Sequence, residues 1–267
     1  TQEETARAPG YRASSDEASL GVRHALGDGG PWYGGVAVSY EDARIDQGAA
    51  WHSNGSLTQV GAVLKGRFGP FTAALDGTYG TGRYDTRRPV PVLGDDAVAR
   101  SRQDVTLGSA GLRLAYDFEG AAWYVRPLLD VAYAHGQVDG FTEQGADVAN
   151  LSVAKQSNDR TTLRPAIEAG TELRLESGGA LRPFARVGTT QVVSGQAYSI
   201  AATFEGTPDS VAPFEVDSEI DDSYADVQVG LDLLRTRGLS ARFTYAVQIS
   251  SHTDTYAVGL KLWLPLH

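Results

Sequence analysis

"YAVGLKLWLPL", residues Tyr256–Leu266, decides the fold. Every second residue is apolar: Tyr256, Val258, Leu260, Leu262, Leu264 and Leu266. The residues between are Ala257, Gly259, Lys261, Trp263 and Pro265. Period-two alternation is the signature of a strand with two unlike faces. A soluble sandwich would bury the apolar face and wet the other. A membrane barrel would turn the apolar face outward to lipid and the polar face to its interior.

Composition narrows the choice. The chain has 267 residues, no cysteine, 31 glycines and 12 tyrosines. Without cysteine there is no disulfide framework, thiolate metal site or thiol nucleophile. Its 33 acids against 23 bases, a net charge of −10, argue against a nucleic-acid partner. No apolar run is long enough for a spanning helix, which leaves a spanning barrel open.

The alternation recurs in eleven segments, roughly 17–26, 32–42, 57–69, 70–84, 102–118, 121–138, 160–176, 180–205, 218–235, 239–250 and 254–266. Tight links such as "FGPF" (68–71) and "EGAA" (119–122) alternate with long polar ones at 43–56, 85–101, 139–159 and 206–217. An up-and-down meander with turns at one rim and loops at the other gives this order. The expected organisation is a polar extension over 1–16 and one all-β, antiparallel up-and-down transmembrane barrel over 17–267. About twelve strands are expected, eleven of them within the sequence, because single-chain bacterial barrels close on an even number.

The two faces separate cleanly. The expected lipid-facing residues are Trp32, Tyr40, Trp123, Val125, Leu129, Tyr133, Val227, Val229, Leu231, Phe243, Tyr245, Tyr256, Leu260 and Leu262: aliphatic in mid-strand, aromatic near the ends, as at membrane interfaces. The expected pore-lining residues are Lys65, Arg67, Asp76, Arg113, Arg126, Asp130, Glu168, Glu172, Arg174, Arg182, Arg186, Asp226, Asp232, Arg242 and Lys261, pairing by sign through water. A large soluble sandwich or lipocalin-like barrel alternates too, but its strands average about five or six residues. Several segments here reach the roughly ten that a tilted spanning strand needs.

Catalytic and metal chemistry finds little support. Ser251, His252 and Asp254 share one loop, but a nucleophile, base and orienter seldom meet as loop neighbours. His24, His52, His135, His252 and His267 have no metal-ligand spacing. The acidic run 215–224 lacks the spaced calcium-loop pattern. Gly-containing 77–91 follows no βα unit, so it implies no phosphate cradle. No enzyme activity, cofactor or metal is expected.

Residues 140–173, "GFTEQGADVANLSVAKQSNDRTTLRPAIEAGTEL", resemble the "F-x-E-x-G-A … L-x-V … G" hairpin of autotransporter β-domains, the translocators of type V secretion. The resemblance extends over 19–46, 181–206 and 224–266, nearly the whole chain, in the family's order. It implies an outer-membrane barrel that anchors and exports an N-terminal passenger, against the alternative of a general porin or structural barrel without one. It also implies a first strand and pore helix upstream of Thr1, outer-membrane lipid as solvent, and the barrel-assembly machinery as partner. That machinery reads a terminal aromatic in the family, where this chain has Leu266.

Overall fold

The computed structural model describes residues 10–27, 30–91, 97–176, 178–195, 197–208, 210–235 and 238–265. Eleven long strands follow one another: β1 (Arg12–Leu26), β2 (Trp32–Asp46), β3 (His52–Phe68), β4 (Phe71–Pro89), β5 (Val98–Tyr116), β6 (Trp123–Val138), β7 (Gln156–Thr171), β8 (Gly179–Ser194), β9 (Ser223–Arg235), β10 (Ser240–Ile249) and β11 (Asp254–Trp263). Each pairs antiparallel with its neighbour in the chain, so the sheet is a pure meander. The short pieces Phe118–Glu119 and Leu173–Leu175 pair back onto β6 and β8 beside two tight links. No described helix is long and apolar enough to cross a membrane.

The eleven strands are the eleven expected, but several are longer. β1 starts at Arg12, inside the expected 1–16 extension. β3 starts at His52 and β4 runs on to Pro89. The added tips carry charges and read as loop. A cross-strand ion pair starts the added tip of β4, Arg102 Nε to Asp85 at 3.1 Å, just above the pair Arg83 Nε to Asp104 at 2.8 Å within the expected strands. β4 and β5 have 19 residues each. At about 3.3 Å per residue they are roughly 60 Å long, far beyond a tilted strand's crossing of an apolar band about 25 Å tall.

The segment expected as one strand over 180–205 is two. β8 ends at Ser194, and Gly195 at φ 82° turns the chain into Ala197–Phe204. A Cβ on Gly195 would lie 1.9 Å from the Asp159 carbonyl, so only glycine fits this corner. Ala197–Phe204 belongs to a second, small sheet at the long-loop end. Its strand order is Phe214–Glu219, Ala197–Phe204, Leu151–Val153, Phe141–Thr142.

Burial is inverted relative to a water-soluble protein. Leu20 is 77% exposed and Leu260 68%, whereas Glu168 and Asp232 are each 3% exposed. The apolar face is the outer surface and the charged face the sheltered one. Among the described residues no ladder joins β1 to β11. The edges approach through side chains, with the Arg23 guanidinium 6.0 Å from the centre of the Trp263 ring.

Candidate functional site

The sheltered face carries an ion-paired belt, built rung by rung. Register places Arg126, Glu168, Arg186 and Gln228 directly opposite one another on β6, β7, β8 and β9. Glu168 receives Arg126 Nη1 at 3.0 Å, Arg186 Nη2 at 2.6 Å and the Tyr124 hydroxyl at 3.0 Å. Arg126 also pairs with buried Asp117. The neighbouring rung holds Arg182, Asp232, Arg242 and Lys261. Arg242 forks onto Asp232 at 2.5 and 2.6 Å. Arg113 and Asp130, opposite on β5 and β6, make a second fork at 2.6 and 2.7 Å. Buried charges are tolerated when each carboxylate is met by guanidinium hydrogen bonds of this kind. The expected pairing through water is therefore replaced, for these residues, by direct contact.

Every expected pore residue lies on this face by register, but not all join the belt. Arg67 lies 3.7 Å from Glu119 and 4.0 Å from Asp117. Asp226 is held by Thr190 at 2.6 Å and Gln248 at 2.8 Å. Glu172 binds Arg182 at 2.5 Å, with Arg174, 87% exposed, 3.8 Å away at the tight-turn rim. Asp76 lies against Gly111, and Lys65 and Lys261 sit on the rungs of Arg113 and Arg242 without an ion-pair partner among the described residues. Sequence reasoning missed Tyr124 and Phe184. Arg126 and Arg182 stack over Tyr124 at 5.1 and 5.6 Å, and Arg242 over Phe184 at 5.2 Å. Gly170 and Gly230 stand opposite the two rings and leave room for them to lie flat. Both aromatics share the parity of the arginines, which was the available signal.

At the long-loop mouth the "F-x-E-x-G-A" residues do structural work. Buried Glu143 takes Arg88 by a two-nitrogen fork, one arm at 3.0 Å, and the Leu151 N–H at 2.9 Å. Gly145, at φ 97°, passes so close to β5 that a Cβ would meet the Val98 carbonyl at 2.8 Å. Ala146 is 2% exposed against Val90 and Ala99. The segment is thus latched to the tips of β4 and β5.

Ser251, His252 and Asp254 form no triad. Asp221 accepts from the Ser250 and Ser251 hydroxyls at 2.5 and 2.8 Å and lies 2.8 Å from His252 Nδ1. Ser251 Oγ lies 3.1 Å from that same nitrogen. A relay needs serine and carboxylate on opposite ring nitrogens. His52 and His135 likewise each meet an aspartate, Asp46 at 2.6 Å and Asp159 at 2.8 Å. His24 is exposed on β1, and His267 lies outside the described residues. Among the described residues no group of three or more His, Asp or Glu is arranged to hold a metal.

The apolar residues lie on the opposite face. Val227, Val247 and Tyr256 share a rung, as do Val229, Tyr245 and Val258, and Leu231, Phe243 and Leu260. Trp32, Tyr40, Trp123, Tyr133 and Leu262 are exposed on the same side, and Val125 and Leu129 are half-buried there.

The sequence model of the autotransporter beta-domain matches residues 1–246. Two extracellular serine proteases of Serratia marcescens are 28% identical over 170 and 171 residues, 64% of this chain but only 16% of each relative's length. Among solved structures, the translocator domain of the autotransporter NalP from Neisseria meningitidis superposes with a TM-score of 0.73 at 14% identity, covering 94% of this chain and 81% of that one. The β-domain of the Bordetella autotransporter BrkA gives 0.66 at 18% identity, covering 96% and 91%. The transport unit of AIDA-I from Escherichia coli gives 0.63 at 11% identity, covering 96% and 84%.

Proposed function

Because the chain belongs to the autotransporter β-domain family, an outer-membrane β-barrel, we propose that it anchors and exports an N-terminal passenger. In this reading the apolar face meets lipid and the ion-paired face lines the passage. The observation that carries it is the inverted burial, with Glu168 and Asp232 sheltered and Leu20 and Leu260 exposed. Nothing but a lipid environment makes that arrangement favourable. A passage walled by paired charges stays hydrated and gives an extended chain no apolar surface to stick to. The edges of β1 and β11, which share no ladder among the described residues, need backbone partners in lipid, since each backbone group left unsatisfied there costs several kcal/mol. In this reading β11 is offered to the barrel-assembly machinery. The barrel supplies passage and anchorage, and any catalysis belongs to the passenger.

The test is to express the chain behind a signal peptide and an inert, epitope-tagged upstream segment. The tag is expected at the cell surface, removable by protease added to intact cells. A tag that stays protected while the purified barrel conducts ions would replace this proposal with the porin alternative.

A further inference from the structure

The exposed face changes character in a fixed order along β4. From the tight turn it reads Phe71, Ala73, Leu75, Gly77, Tyr79, then Thr81, then Arg83, Asp85, Arg87. The ten residue steps from Phe71 to Thr81 rise about 25 Å at an ordinary barrel tilt, the height of the lipid band. The charged residues therefore stand above it, at the long-loop end. Their lower rungs are neutral by pairing: Arg83 with Asp104 at 2.8 Å and Arg102 with Asp85 at 3.1 Å.

The top rung is not. It places Arg87 of β4 directly opposite Arg100 of β5 on one side and His52 of β3 on the other. Asp46, on the next strand of the same rung, is engaged by His52 at 2.6 Å. Like charges facing each other across a ladder weaken it. Neither guanidinium has a carboxylate within ion-pair distance among the described residues. The residue of the 143–151 segment laddered to Arg100 is Gln144, a neutral amide that brings no carboxylate to it. The arginines stand roughly 15 Å above Thr81, among the sugars and phosphates of the outer leaflet rather than its acyl chains.

We propose that Arg87 and Arg100 form a binding site for a phosphate of an outer-leaflet glycolipid headgroup. Two adjacent guanidinium forks match a phosphate's oxygens, and the anion removes the repulsion across the rung. The proposal rests on the lipid-facing assignment of the apolar face, which a substitution at Val229, remote from this rung, tests separately.

The experiment uses the full chain refolded in neutral detergent. It is titrated with a bisphosphorylated glucosamine glycolipid, the dephosphorylated analogue, and inorganic phosphate, with bound ligand counted by native mass spectrometry. The phosphorylated glycolipid is expected to bind on the order of tenfold more tightly than the dephosphorylated one. The double variant Arg87→Gln/Arg100→Gln should lose that preference. Arg87→Lys/Arg100→Lys should keep part of it, and Arg83→Gln, which removes a paired arginine, should keep most. Heat-modifiable gel mobility checks that each variant folds. Equal binding of the two glycolipids would overturn the proposal, as would an unchanged preference in the double glutamine variant. Displacement of the glycolipid by equimolar inorganic phosphate would overturn the lipid assignment.

Discussion

Val229 and Gln228 are neighbours in β9 and face opposite ways. Val229 shares its rung with Tyr245 and Val258 on the exposed apolar face, while Gln228 stands opposite Arg186 on the sheltered one. Val229→Arg puts a charge toward lipid and is expected to cost about 2–4 kcal/mol near the midplane. Gln228→Arg adds a charge to an already polar wall and should cost much less. Urea unfolding in lipid vesicles measures both, and equal losses would reverse the assignment of faces. Asp221 makes a pH prediction. Desolvation pushes its carboxyl up, but hydrogen bonds from Ser250, His252 and Ser251 outweigh that and hold it at about 2. The folded value lies below the unfolded one of about 3.9, so its support of the 250–253 turn is present above pH ~4 and lost as pH falls toward 2. Amide exchange at His252, whose N–H also donates to Asp221 at 3.2 Å, should quicken over that window. Rates following only the intrinsic pH dependence would refute the anchor.

Among the elements, the strands were legible and the mouth was not. Alternation along "YAVGLKLWLPL" places Lys261 and Trp263 on one face and Leu260 and Leu262 on the other, and that assignment needs no partner strand. The latch between Arg88 and Glu143 joins residues 55 positions apart, and the small sheet depends on one corner at Gly195. Neither follows from a local period. The strand tips were hidden for a related reason: Asp85 looks like loop until Arg102 appears opposite it. Substituting Gly145 tests the latch. Gly145→Val introduces a Cβ at a positive φ and 2.8 Å from the Val98 carbonyl, a strain of about 1–3 kcal/mol before the clash. It should speed protease cleavage within 139–155 while the long strands keep their heat-modifiable mobility. Cleavage at the wild-type rate would mean the segment is held by something else.

For the whole molecule, charge is distributed by face rather than by chain. The net charge is −10, yet arginines and lysines outnumber acids on the sheltered face, and Arg164, Lys65 and Lys261 have no ion-pair partner among the described residues. The barrel is expected to favour anions in planar bilayers. Neutralising Arg113, Arg126, Arg186 and Arg242 together frees Asp130, Glu168 and Asp232 and should swing selectivity toward cations. Selectivity unmoved by the fourfold variant would mean that the current does not pass along this wall.

One consequence of the meander concerns assembly. From β1 to β11 each long strand ladders with the strand beside it in sequence, so this part of the wall is a train of hairpins in which no pairing waits for a distant part of the chain. Closing each hairpin costs little loop entropy, and the zipper can run from either end. A backbone cut in a long outer loop, such as the stretch between Phe204 and Phe214, would therefore sever the covalent thread and leave every rung of the wall intact. Two co-expressed halves divided there should find each other and rebuild the same sheet.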